Sequence, residues 1–342
     1  MSDPSFNLAD IFGDHMVLQR NKPLKIWGES CQAQVIRVLI NDIEIASTDV
    51  AAGRWMITLP PMEAGRQITL RVMGESNSYT YQDVAVGEVW LAGGQSNMEF
   101  LLAYDAEAKE VIPEANNPDI RFFDCPKIKF EGQELEDDMS QYGFWRPLNP
   151  VNAPFYTAVG FYFANQLHKR YHVPIGIVGC NWGGTSAATW MDAGYLQDDE
   201  LLSVYVDAYE TGLKNLDLDR YYQAEESQRR TMSLPPVKRF MNYIMKHTPR
   251  GVRRLFISIP VRRSLNKSQQ LGPRSENRPG GLFHTMLEKI IPYTVQGVIW
   301  YQGESDDLKA ELYARLFSTL IRCWRDRWED ELPFLFVQLA PY

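Results

Sequence analysis

The chain has 342 residues, of which 45% are hydrophobic, 12% aromatic and 23% charged, and this near-average composition excludes disordered and fibrous proteins. Its 35 lysines and arginines stand against 43 aspartates and glutamates, a net charge of -8. Such a balance argues against a protein that coats nucleic acid, although it leaves a local basic patch open. The chain is longer than an ordinary domain with a single hydrophobic core, so we predict two domains and an insertion.

Cysteine spacing and apolar run length exclude further classes. Cys31, Cys125, Cys180 and Cys323 are far apart and form no C-x-x-C pair, which argues against a structural zinc site or a disulfide scaffold. We therefore expect buried free thiols and predict no metal and no cofactor. Apolar runs fall short of the roughly 18–20 residues that span a bilayer, so we expect no membrane association.

The first residues (MSDP) carry neither a basic n-region nor an apolar h-region, so we expect no signal peptide in this chain. The compartment stays open on this evidence. A cytoplasmic protein is favoured, and a secreted or periplasmic protein whose leader has been removed is the alternative.

The N-terminal part of the chain is predicted to be all-β. Short apolar–polar alternations separated by Gly, Asn, Asp and Ser turns are typical of strands in a small sandwich. The predicted strands are 23–28, 34–40, 54–59, 67–73 and 78–84. We assign residues 1–83 to an N-terminal β-sandwich domain that supports or orients the next domain.

From Val84 onward, apolar runs alternate with helix-period segments, which predicts an α/β fold with a parallel sheet covered by helices on both faces. An amphipathic helix is predicted at 157–171, and a stripe of apolar residues with a period of four predicts a long helix packed on the core. The predicted strands are 84–92, 120–124, 174–180, 295–301 and 333–339; the stripe comprises Leu308, Leu312, Leu316, Leu320, Trp324 and Trp328.

Residues 197–278 interrupt this alternation and are predicted to be an insertion into the domain 84–342. An acidic, Tyr-rich helical stretch (201–226) precedes a basic one (238–278). A solvated face or a subunit contact of a homo-oligomer is the simplest interpretation of the basic run. A surface for an anionic ligand is the alternative, and nucleic acid is the least favoured partner.

The first motif that can carry chemistry is 93–98 (GGQSNM), directly after the predicted strand 84–92. A serine at a strand-to-helix turn presents its hydroxyl above the edge of the sheet, and the preceding glycines allow a sharp turn. The motif is not the G-x-S-x-G elbow of α/β-hydrolases, because Met98 occupies the last position. Taken alone, it is equally compatible with a plain turn.

Two further motifs follow predicted strands in the same way, at 181–186 (NWGGTS) and 300–306 (WYQGESD). The carboxyl ends of parallel strands lie at one edge of a sheet, where such folds bind ligands. Accessible backbone N–H groups of a double glycine, and the side-chain amide of Gln302, suit an oxyanion site. Three polar, glycine-containing turns at one edge therefore predict an active site, with simple loops as the alternative.

The three motifs together resemble the signature blocks of the sialate O-acetylesterase family, within the SGNH (GDSL-like) hydrolases. Further likeness lies in 11–20 (IFGDHMVLQR), 87–91 (GEVWL) and 337–341 (VQLAP). The resemblance covers nearly the whole chain except the insertion. It implies an SGNH-like three-layer α/β/α domain and an O-acetylesterase that acts on a carbohydrate, either sialic acid or an acetylated plant oligosaccharide.

The resemblance also implies roles for individual residues. Ser96 would be the nucleophile, and the oxyanion would be held by the N–H groups of Ser96 and Gly184, less surely Gly183, with the Gln302 amide. The chemistry would pass through an acetyl-serine. The competing hypothesis is a carbohydrate-binding or structural protein that keeps the fold without turnover.

The sequence departs from the family at the general base. The family carries a late Asp-x-x-His block, and no such block occurs in these 342 residues. We expect that the native protein continues past Tyr342 and supplies the Asp and His. A packed or surface position is the favoured interpretation of His284; of its two functional interpretations, a substrate contact is favoured over a substitute base.

Substrate contacts are expected shortly before the third motif, at Arg274, Asn277, Arg278 and His284. Arginines there would suit a sialate or uronate carboxylate through bidentate pairing. The same residues are equally compatible with a neutral acetylated xylan or mannan fragment, or with a role in fixing the insertion.

Overall fold

The computed structural model describes residues 5–233 and 271–339, which fold as a mixed α/β structure with one large sheet. The strands are β1 Phe6–Leu8, β2 Val17–Gln19, β3 Leu24–Ser30, β4 Gln34–Ile40, β5 Ile43–Val50, β6 Gly53–Leu59, β7 Gly65–Met73, β8 Ser78–Gly94, β9 Asn117–Asp124, β10 Trp145–Leu148, β11 Ile175–Asn181, β12 Gly297–Tyr301 and β13 Phe334–Phe336. The helices are α1 Ser96–Glu99, α2 Ala108–Glu114, α3 Ala158–Tyr171, α4 Ala193–Gln197, α5 Ser203–Lys214, α6 Leu218–Ser233, α7 Glu288–Ile290 and α8 Ala310–Trp328.

The N-terminal strands form two antiparallel groups. β3 pairs with β1 and β6 in a three-stranded sheet, whereas β5, β4 and β7 pair in that order and join the large sheet through β8. Burial along β4 alternates, with Ile36, Val38 and Ile40 inside, because successive side chains of a strand point to opposite faces. The predicted bounds of this strand, 34–40, are confirmed.

The strand β8 crosses the boundary that the sequence placed at residues 83 and 84. The two predicted strands 78–84 and 84–92 are one strand of 17 residues, so their division is wrong. Its first part pairs antiparallel with β7, and its second part pairs parallel with β11 and β12. Every residue from Val84 to Gly94 is buried, which is why this half shows a continuous apolar run instead of alternation.

The parallel half of the large sheet places the three motifs side by side. Its strand order is β9, β11, β8, β12 and β13, with β10 antiparallel on the edge beside β9. Asn181 at the end of β11 and Tyr301 at the end of β12 both pair with Gly94 of β8. The turns that follow these strands therefore start at the same level of the sheet.

Two predicted helices are confirmed with small changes at their ends. α3 begins after Thr157, whose side chain accepts a hydrogen bond from the Gly160 N–H and caps the helix. α8 buries Leu316, Leu320, Trp324 and Trp328 of the predicted stripe and partly buries Leu312. Leu308 is 92% exposed and precedes the helix, so its place in the stripe is wrong.

The acidic stretch predicted as helical (201–226) covers α5 and the first part of α6, which continues to Ser233, whereas most of the basic run lies outside the described residues. Cys125, Cys180 and Cys323 are buried as expected, but Cys31 is exposed. Within residues 5–233 and 271–339, no helix is both long and apolar enough to cross a bilayer.

Candidate active site

The turn between β8 and α1 presents the side chain of Ser96 to solvent. Gly94 has φ +134°, and a Cβ at this position would overlap the carbonyl oxygen of Tyr301, so the turn requires glycine. The Gln95 N–H donates to that carbonyl at 3.0 Å. The buried Gln95 side chain accepts hydrogen bonds from the N–H groups of Gly303 (3.3 Å) and Ser305 (3.2 Å), which joins the first motif to the third.

The loop after β11 lies directly against this turn. The Trp182 N–H donates to the Gly94 carbonyl at 3.1 Å. A Cβ built on Gly183 would lie 3.4 Å from the Cβ of Ser96, which is ordinary van der Waals contact. The structure therefore brings Ser96 and the double glycine together.

The two glycine amides have different surroundings. The Gly183 N–H donates to Oε2 of Glu99 at 2.5 Å. Among the described residues, the Gly184 N–H has no acceptor, and space for 4 Å around a Cβ built on Gly184 is empty. Gly184 adopts φ +77°, a left-handed conformation that favours glycine. Of the two amides, that of Gly184 is the one available to a ligand.

Gln302 is only 2% exposed, and its amide is fully occupied by the protein. Nε2 donates to the Thr185 carbonyl (3.1 Å) and to Oδ2 of Asp306 (2.6 Å), while Oε1 accepts from the Tyr313 hydroxyl (2.8 Å). Asp306 also accepts from the Ser186 hydroxyl at 2.5 Å. This geometry favours a role for Gln302 in holding the loop after β11, in place of the predicted donation to an oxyanion.

A groove of about 820 Å³ opens beside the double glycine. Its walls combine polar groups with aromatic and aliphatic surface from α5, α6 and the chain around residue 308. Lys129 in its wall pairs with Glu225 at 3.0 Å and lies 4.0 Å from Glu276. The residues that border it include Gly183, Gly184, Tyr205, Tyr221, Asn277, Ser305, Asp306 and Lys309.

Of the four predicted substrate contacts, only Asn277 borders this groove. Its Nδ2 donates to the Gly184 carbonyl at 3.0 Å, and its Oδ1 accepts from the Ser186 N–H at 3.0 Å. Arg274, Arg278 and His284 instead line a second cavity of about 810 Å³. The structure does not bring these three side chains to the groove beside the double glycine.

Local contacts explain why those three residues lie elsewhere. Arg274 stacks on Phe130 with its guanidinium carbon 4.2 Å from the ring centre, and Arg278 donates to the Lys129 carbonyl at 3.3 Å. His284 lies 3.1 Å from Glu288 one helical turn later.

None of the four histidines within the described residues borders the groove. His15 contacts Asp83 at 2.8 Å in the N-terminal part, His168 contacts the Val173 carbonyl at 2.9 Å, and His172 ends α3. Neither do residues 5–233 and 271–339 contain a group of three or more His, Cys, Asp or Glu side chains suited to a metal ion.

Charged residues that the sequence did not single out lie around Glu99, in the helix that follows the Ser96 turn. Burial raises the pKa of Asp124, at the end of β9, to about 6, although the positive charges of Lys127 and Arg146 oppose this. Burial acts to lower the pKa of Lys127, yet the carboxylates of Glu99 and Asp124 outweigh it and raise that pKa. Glu99 follows Ser96 by three residues, a spacing that places two side chains on the same face of a helix. This spacing is the one feature of the sequence that could have indicated Glu99.

Comparisons with known proteins agree with the motifs. Residues 276–342 match a family model described as carbohydrate esterase, sialic acid-specific acetylesterase. The chain is 27% identical to sialate O-acetylesterase of Mus musculus and 24% identical to that of Homo sapiens, in each case over 98% of this chain. It covers 60% and 57% of those proteins, so the chain spans about three fifths of the length of the curated relatives it matches.

A solved structure gives the same relationship at the level of the fold. The chain superimposes on a carbohydrate acetylesterase from Xanthomonas citri with a TM-score of 0.68 and 30% identity, covering 98% of this chain and 60% of that one. The resemblance read from the three motifs is thereby confirmed. By sequence and by fold, the chain is similar over nearly its whole length to sialate O-acetylesterases and to a carbohydrate acetylesterase.

Proposed function

We propose that this chain carries the nucleophile and oxyanion donors of a serine esterase that removes O-acetyl groups from a carbohydrate. The contact between the Ser96 turn and the double-glycine loop is the observation that carries the proposal. The names of the related proteins support deacetylation of a sugar. They do not favour the competing hypothesis of a protein that only binds carbohydrate.

In the proposed reaction, Ser96 Oγ attacks the acetyl carbonyl carbon and loses its proton to a base. The tetrahedral oxyanion is held by the backbone N–H groups of Ser96 and Gly184. The bond to the sugar oxygen then breaks, the sugar hydroxyl leaves with a proton, and water hydrolyses the acetyl-serine. Each oxyanion donor typically contributes ~2.7–4 kcal/mol to the stability of such a transition state.

The neighbouring parts of the fold are assigned supporting roles in this proposal. We propose that the domain 84–342 is an SGNH-like layered α/β/α unit and that residues 1–83 are a β-sandwich domain that orients it. Helices on the parallel half of the large sheet and the separate three-stranded sheet support this assignment. The proposed substrate is an acetylated saccharide that occupies the groove beside Gly184.

Covalent labelling tests the nucleophile. With imidazole added as an external base, a fluorophosphonate probe is expected to modify the 342-residue chain at Ser96, as mapped by mass spectrometry, and to leave Ser96→Ala unmodified. Ser318→Ala, which removes an exposed hydroxyl on α8, is the matched control and should label like the wild type. Equal labelling of Ser96→Ala and wild type would refute the assignment.

Acetate release tests the substrate. Acetylated sialic acid and acetylated xylan and mannan oligosaccharides are compared, with imidazole added as an external base because the 342 residues contain no Asp-x-x-His sequence. We expect release from at least one of these sugars, dependent on imidazole and on Ser96. Release that is unchanged in Ser96→Ala would show that the groove does not perform this chemistry.

A further inference from the structure

Lys127, in the loop after β9, contacts both the end of β11 and the helix α1. It follows β9 by three residues, and its side chain is 14% exposed. The ammonium donates to the carbonyl oxygen of Asn181, lies 3.3 Å from Oδ1 of the same residue, and lies 3.6 Å from Oε1 of Glu99. The ammonium therefore donates hydrogen bonds to both oxygens of Asn181 and forms an ion pair with the Glu99 carboxylate.

Asn181, which accepts hydrogen bonds from Lys127, also contacts the neighbouring strand β8. It is the last residue of β11 and is 3% exposed. Its Nδ2 donates to the Ala92 carbonyl of β8 at 3.1 Å, while both of its oxygens face Lys127. The end of β11 is therefore tied to the strand that leads into Ser96.

Glu99 contacts both Lys127 and the double-glycine loop. Its Oε1 faces Lys127, and its Oε2 accepts the Gly183 N–H at 2.5 Å. A hydrogen bond to an ionised acceptor is about twice as strong as one between neutral groups. The Lys127 ammonium also lies 5.9 Å from the centre of the Trp182 ring, so the residue before Gly183 is held as well.

We propose that Glu99 and Lys127 are positioning residues, which fix the loop after β11 so that the protein holds the Gly183 amide and the Gly184 amide is left for the oxyanion. The inference rests on the proposed function for its catalytic consequence. Neither side chain contacts the reacting atoms in this arrangement. Their contribution is the orientation of the Gly184 N–H relative to Ser96, and a misplacement of about 1 Å can cost ~100-fold in rate.

Three variants separate the parts of this arrangement. Glu99→Ala removes the acceptor of the Gly183 N–H, Glu99→Gln keeps an acceptor without the charge, and Lys127→Met keeps the stem without the ammonium. Lys22→Met is the matched control, because Lys22 likewise bonds a carbonyl (Val295, 3.1 Å) and a carboxylate (Asp330, 2.7 Å), but not at the groove.

Labelling kinetics with the fluorophosphonate, measured in the presence of imidazole, provide the first measurement. For Glu99→Ala we expect the maximal rate of labelling at Ser96 to fall ~10–100-fold, with the half-saturating probe concentration within about threefold of wild type. The maximal labelling rates of Glu99→Gln and Lys127→Met should lie between those of Glu99→Ala and wild type. Lys22→Met should label at the wild-type rate. Labelling of Glu99→Ala as fast as wild type, or faster, would overturn the proposal.

The amide resonance of Gly183 in glycine-labelled protein provides the second measurement, which does not depend on activity. An amide proton that is donated to a carboxylate resonates downfield, so the Gly183 resonance should move upfield in Glu99→Gln, while glycine amides outside the loop after β11 remain in place. An unmoved Gly183 resonance would overturn the proposal. If the wild type is not labelled at Ser96, the proposed function fails, and the Gly183 resonance still decides whether the pair holds this loop.

Discussion

The raised pKa of Asp124 predicts how the stability of the fold depends on pH. Its carboxyl has a pKa of about 6, raised from 3.8 chiefly by burial. Between these two values the folded state binds more protons than the unfolded state, so the free energy of unfolding falls as the pH rises from about 4 to about 6. Asp124→Asn has no ionisable group at this position, and its stability should lack that fall.

The size of the effect follows from the shift. At ~1.36 kcal/mol per pKa unit, the shift corresponds to about 3 kcal/mol as an upper bound. Because the side chain is partly exposed and water screens its charge, we expect Asp124→Asn to be more stable than wild type by about 1–2 kcal/mol at pH 7.5. With ~2.1 cal/mol/K of unfolding entropy per residue, this raises Tm by roughly 1.5–3 °C.

Urea and thermal unfolding at pH 4.5 and 7.5 would measure this difference. Asp119→Asn is the matched control on the same strand, because hydrogen bonding to Arg66 lowers the pKa of Asp119. A lowered pKa stabilises the fold above the unfolded value, and that stability is lost as the pH falls, so Asp119→Asn should destabilise more at pH 7.5. An advantage of Asp124→Asn that is equal at both pH values would refute the reasoning.

Two further predictions concern the turns around Ser96. Gly94→Ala should abolish folding, because the new methyl would overlap the Tyr301 carbonyl. Soluble yield and the circular dichroism spectrum measure this effect. Gly13→Ala is the control and should retain both, because a Cβ at Gly13 has nothing within 4 Å. Gln302→Ala should lower the free energy of unfolding in urea by about 1–3 kcal/mol, since Asp306 and Tyr313 lose a buried partner. A Gln302→Ala protein as stable as wild type would contradict this positioning role.

Strands and helices were predictable where one face is buried and the other is not. β4 and α3 carry clear periods of 2 and 3.6, and their predicted bounds agree with the structure to within one residue. β5 and β10 were not predicted. β5 is largely exposed, including its apolar residues Ile43 and Ile45, and β10 is an edge strand that contains Pro147.

The candidate site was predictable to the extent that it depends on the ends of parallel strands. Ser96, Gly184 and Gln302 follow adjacent strands and therefore lie at one edge, as the sequence indicated. Side-chain direction is set by tertiary contacts, which the sequence does not encode locally. Hence the engagement of Gln302 by Asp306 and the position of Lys127 under the loop became apparent only in the structure.

The shared strand β8 has a consequence for cooperativity. Its first part is hydrogen-bonded within the antiparallel half of the large sheet, and its second part lies between two parallel neighbours. Opening β8 therefore requires both halves of that sheet to separate, which places its amides at the high end of local opening free energies. The N-terminal strands and the Ser96 turn should accordingly lose protection from hydrogen exchange together, as one unfolding unit.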